Sequence, residues 1–104
     1  MTERRETYLV QILLPTTGHS KSNSLLEEIV QELTVLFGGV TSFLQSPAEG
    51  RWKTGPRTVL DEITIVEVMT PTIDAEFWKA LRLRLESRLD QERIIIRAAK
   101  VHVF

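Results

Sequence analysis

The spacing of apolar residues changes period along this chain, and each change marks an element. Residues 7–14, Thr-Tyr-Leu-Val-Gln-Ile-Leu-Leu, are rich in β-branched and aromatic types and predict a strand. On a pleated backbone Tyr8, Val10, Ile12 and Leu14 share one face, and Leu9, Gln11 and Leu13 share the other. Both faces are largely apolar, which predicts a central strand covered on both sides. Pro15 ends it, and residues 15–24 read as a polar loop. From Leu25 to Phe37 the period becomes helical: Leu26, Ile29, Val30, Leu33 and Phe37 form one stripe, with Glu27, Glu28, Gln31 and Glu32 toward water. Ser24 and Glu27 have the spacing of a capping box, and Gly38-Gly39 supplies the stop.

The second half repeats the alternation. Val40–Gln45 predicts a short strand, followed by a turn at 46–50, the tripeptide Arg51-Trp52-Lys53, and a second turn at 54–56. Val59–Thr70 predicts a long strand, antiparallel to the short one, with the intervening residues decorating the hairpin tip. Asp74 is the expected N-cap of a helix over Ala75–Asp90, in which Phe77, Leu81, Leu85 and Leu89 step by four with Trp78 beside them. Arg93–Phe104 predicts the last strand. The order β-α-β-β-α-β is the split-βαβ, ferredoxin-like α+β arrangement. Its right-handed crossovers predict a four-stranded antiparallel sheet with two helices on one face and the strands 7–14 and 59–70 in the middle. The other face is then bare, although the strands' own pattern is apolar on both sides. A second copy of the chain is the simplest cover, so a homodimer is expected.

A length of 104 residues suits one domain, 1–104, without repeat, low-complexity tract or linker. Thirteen Lys and Arg against fourteen Asp and Glu argue against general nucleic-acid binding, which calls for a basic excess. Recognition of RNA on such a sheet needs exposed central aromatics. The central strands offer Tyr8, on the core-like face. The absence of cysteine removes disulfides, zinc thiolates and thiol nucleophiles, and fits a cytoplasmic setting. No stretch approaches the roughly 18 apolar residues of a membrane span, and the amino terminus lacks the apolar run of a secretory signal.

Leu36-Phe37-Gly38-Gly39-Val40-Thr41, Gly50-Arg51-Trp52-Lys53, Asp61-Glu62 and Glu67-Val68-Met69 resemble small, uncharacterised bacterial ferredoxin-like domains, a domain of unknown function. The layout is also similar to the dimeric α/β-barrel superfamily, which includes small monooxygenases and stress-response domains. The resemblance implies no specific catalytic set, and a fold of this kind hosts unrelated functions.

Candidate chemistry gathers at three places. Gln11, Glu67 and Arg97 each interrupt an apolar strand, and the expected strand order lines them up across the bare face. Buried charges need partners, so Glu67 and Arg97 are expected to pair. That pair reads either as an interface ion pair or as the polar patch of a ligand pocket, with Glu67 as candidate catalytic base. Trp52, between two cations, reads either as a ligand-stacking group or as a packing residue, a lid over the core or an anchor of the dimer. His19, Ser20 and Lys21 precede a helix and read either as an anion site or as a solvated connector. His102 and His19 have no carboxylate at metal-ligand spacing, so no metal and no cofactor is implied. Lys79, Arg82, Arg84 and Arg88 make a basic face on the second helix, broken by Glu76, Glu86 and Asp90, with Arg82 and Glu86 at i,i+4. The expected function is a soluble homodimeric domain that binds a small organic ligand or a protein partner without catalysis. The alternative is a small metal-free enzyme of the dimeric α/β-barrel type acting on an apolar metabolite.

Overall fold

The computed structural model describes residues 5–15, 20–42, 48–54, 57–90 and 93–104. The elements are β1 (Arg5–Pro15), α1 (Ser20–Phe37), β2 (Thr41–Ser42), β3 (Ala48–Thr54), β4 (Arg57–Thr70), α2 (Ala75–Leu89) and β5 (Ile95–Val103). All strand pairs are antiparallel, and the sheet runs β2-β4-β1-β5, with β3 also paired to β4. The expected four-stranded sheet is therefore corrected to five strands, in the order β-α-β-β-β-α-β. The body of that sheet is three strands wide: β4, β1 and β5 pair along most of their lengths, whereas β2 contributes two residues.

The added strand is β3, which pairs with the first half of β4 from Ala48↔Ile63 to Thr54↔Arg57. Its sequence alternates Glu49, Arg51 and Lys53 with Gly50, Trp52 and Thr54 and has no apolar face, so hydrophobic period alone reads it as loop. Backbone pairing along β4 holds it in the sheet instead. β4 consequently begins at Arg57, not Val59, and its 14 residues span roughly 46 Å at about 3.3 Å each. The molecule is elongated as a result. Its radius of gyration is 14.9 Å, against about 13 Å for a compact chain of this length.

One face of the sheet carries the core. Val10, Ile12 and Leu14 of β1 and Val66 and Val68 of β4 are fully buried, in one cluster with Leu25, Leu26, Ile29 and Leu33 of α1 and Trp78, Leu81 and Leu85 of α2. Both helices therefore lie on that face. The expected stripes supply the packing, and the Phe37 ring stacks on Trp78 at 5.4 Å and meets Phe77 edge-on at 5.7 Å. α2 starts at the anticipated cap: the Asp74 carboxylate accepts a hydrogen bond from the Phe77 N–H at 3.2 Å. It ends at Asp90, which takes the left-handed conformation at φ 54°. α1 begins at Ser20, ahead of the expected Leu25, so Ser24 is inside the helix and the capping box is not its start. Polar residues extend an existing helix at small cost once the apolar stripe has nucleated it. At the other end, Gly38 accepts φ 79° and donates its N–H to the Thr34 carbonyl at 2.9 Å, closing the helix.

The two helices are tied by charge. Arg84 pairs with Glu32, and Arg88 meets Glu28 at 3.1 Å. Arg82 meets Glu86 at 3.3 Å, and Glu86 also accepts the Ile94 N–H at 2.8 Å, fixing the entry to β5. Arg84 and Arg88 are thus partnered by α1, and are not part of a free basic face.

Candidate ligand site on the helix-free sheet face

The odd-numbered residues of β1 turn away from the helices, and the register places their neighbours. Met69, Leu9 and Ala99 form one row, Glu67, Gln11 and Arg97 the next, and Ile65, Leu13 and Ile95 the third. The face is a polar row between two apolar rows. Leu9, Leu13, Ile65 and Ile95 are only half-buried, and Met69 is 55% exposed.

Within the polar row the expected alignment is present, but the expected contact is not. Glu67 and Arg97 do not meet; β1 runs between their strands, and two strand spacings separate them by roughly 10 Å. Gln11 bridges the gap with both ends of its amide. Its Nε2 donates to Glu67 Oε2 at 2.7 Å, and its Oε1 accepts from Arg97 Nε at 2.9 Å. A neutral amide is suited to this place because it offers a donor to the carboxylate and an acceptor to the guanidinium. The row thus has an acidic end, a neutral centre and a basic end.

A cavity of about 440 Å³ opens at the acidic end. Its walls are Leu9, Glu67 and Met69 from the sheet and Phe37, Gly38, Gly39, Val40 and Thr41 from the junction of α1 and β2. Thr41 lies opposite Glu67 in the β2–β4 register. The size falls within the range of small-molecule sites, roughly 300–1,000 Å³, and the lining is mostly apolar with one carboxylate and one hydroxyl. Among the described residues the wall holds no histidine or lysine, and no hydroxyl is hydrogen-bonded to the Glu67 carboxylate.

The remaining sequence candidates fall elsewhere. Trp52 sits on β3 opposite Val59, eight residues along β4 from Glu67 and so roughly 26 Å away. Its side chain lies outside the described residues, and the register separates it from the Gln11 row. His19 also lies outside the described residues. Ser20 and Lys21 are in the first turn of α1, where only the backbone is described. His102 is exposed on β5. Leu9, Met69 and Thr41 were not singled out as lining by the sequence. Leu9 and Met69 carried a usable signal, since each is two positions from a residue of the polar row and therefore on its face. Gly38-Gly39 reads as a helix stop, and that role hides its second one as a cavity wall.

Among the described residues no three His, Asp or Glu side chains cluster as metal ligands, and no helix is long and apolar enough to cross a membrane. No protein-family model and no curated protein sequence matches the chain. Solved structures do. CutA from Synechococcus elongatus PCC7942 superposes with a TM-score of 0.56 at 13% identity, over 96% of this chain and 83% of that one. A putative PII-like signalling protein from Thermus thermophilus gives a TM-score of 0.47 at 25% identity, over 98% and 93%. The chain has a small α+β fold of ferredoxin-like type. At this identity the likeness to CutA is one of fold, and function rests on the geometry above.

Proposed function

We infer that this chain is a non-catalytic, self-associating binding module, a homodimer in its simplest form, that holds a small, largely apolar organic ligand in the cavity at Leu9, Glu67 and Met69. The observation that carries the reading is the arrangement of the helix-free face: two apolar rows, left partly open by the described residues, flank a polar row whose groups are hydrogen-bonded to one another. A general base needs a reacting partner within hydrogen-bond reach. Glu67 Oε2 instead accepts the Gln11 amide, and the described cavity wall supplies no second acid–base group or activated nucleophile. Apolar rows of this kind are what a partner surface or an apolar ligand covers.

Thermal-shift measurements with a panel of small apolar and aromatic acids, amines and alcohols test the ligand. At least one member raises the melting temperature of the wild type, and Met69→Trp, which adds bulk to the cavity wall, removes that shift while the protein stays folded and self-associated. A panel without effect, or a shift that survives Met69→Trp, contradicts the cavity as the site. Turnover of any panel member that Glu67→Gln abolishes would replace this reading with the enzyme of dimeric α/β-barrel type.

A further inference from the structure

We propose that a second copy of this chain docks on the helix-free face and that the acidic end of one polar row pairs with the basic end of the other, Glu67 of one copy meeting the second copy's Arg97. The proposal rests on the self-association inferred above and adds the contact that orients it.

The argument is one of symmetry and charge. Within one chain Gln11 stands at the centre of the row, with Glu67 on one side and Arg97 on the other. The row is therefore antisymmetric about β1. When two copies meet face to face with their β1 strands running the same way, the two-fold axis lies along β1. Each Glu67 then lies over the second copy's Arg97, twice per pair, and Gln11 faces Gln11. When one copy is reversed, Glu67 lies over Glu67 and Arg97 over Arg97. Like charges set against each other in an interface repel, so the row selects the first orientation. The same orientation sets the Met69-Leu9-Ala99 row on its own counterpart and the Ile65-Leu13-Ile95 row on its own, keeping apolar against apolar.

Reach and hydrogen bonding agree with this. Packed sheets lie about 10 Å apart, a gap that a glutamate and an arginine extending from opposite sides can span. Glu67 uses Oε2 for Gln11, leaving Oε1 as an acceptor, and Arg97 uses Nε, leaving both terminal nitrogens as donors. Arg97 is exposed in the single chain. The fork of a guanidinium against a carboxylate is the geometry that charge pairs at interfaces favour. Gln11, by holding both groups at fixed positions in the row, pre-organises the pair.

Charge reversal tests the pairing, read by sedimentation equilibrium of the full-length chain at low salt. Glu67→Arg and Arg97→Glu each place like charges in register and weaken association at least about tenfold. The double variant, Glu67→Arg with Arg97→Glu, restores the pairs with reversed polarity and regains association. Circular dichroism checks that each variant is folded. If a reversal prevents folding, Glu67→Gln and Arg97→Gln serve in its place. Each then weakens association, and the wild type's loss of affinity with added salt becomes shallower in both. Single variants that associate like the wild type overturn the pairing, and so does a folded double variant that fails to recover. A wild type that is itself monomeric overturns the self-association reading, which distinguishes the two failures.

Discussion

Gln11 is a polar side chain in the middle of a strand whose other face is the core. Its amide joins two charged groups that do not meet across β1. All three residues were visible in the sequence as polar interruptions of apolar strands. Period two, together with the expected strand order, was enough to align them. What pattern could not supply was that Gln11, standing between the two charges, takes both contacts itself. Charge on the helices follows the same logic. The Arg88 guanidinium hydrogen-bonds the Glu28 carboxylate and, with Arg84 also nearby, holds it below the ordinary 4.5 of a glutamate. A carboxyl lowered on folding contributes stability above its unfolded value of 4.5, and that contribution is lost as pH falls through the lowered value. NMR titration should therefore find Glu28 below 4.5, and Arg88→Ala should move it back upward. The pair is exposed to solvent, so added salt should also raise it. A Glu28 titration indifferent to Arg88→Ala contradicts the bridge between the helices.

Elements were legible where hydrophobic period and cap chemistry agree. α2 has both: a four-step stripe of Phe77, Leu81, Leu85 and Leu89, and an Asp74 side chain on the Phe77 N–H. Replacing Asp74 by Ala should cost about 1 kcal/mol in urea unfolding, the usual cost of losing an N-cap. A loss near zero would mean that the α2 start is held by packing of Trp78 and Phe77 alone. α1 was legible in its stripe but not in its start, since Ser20 to Ser24 carry no apolar period. β3 was not legible at all, because its residues Glu49 to Lys53 carry no apolar alternation. It is held through its pairing with β4, and amide pairing leaves no trace in side-chain pattern.

At the scale of the whole molecule, two helices bury the centre of one sheet face and leave the other to a polar row between apolar rows. The sequence announced that second apolar face through Leu9 and Leu13 on β1 and Ile65 on β4. It did not announce the cavity at its edge, which the Phe37–Thr41 junction of α1 and β2 lines together with Leu9, Glu67 and Met69. The central claim is that this face is made to be covered by a second copy. Light scattering on the wild-type chain at micromolar concentration tests it most directly. The account predicts a mass about twice that of the 11.9 kDa chain. A clean monomer at that concentration would contradict it.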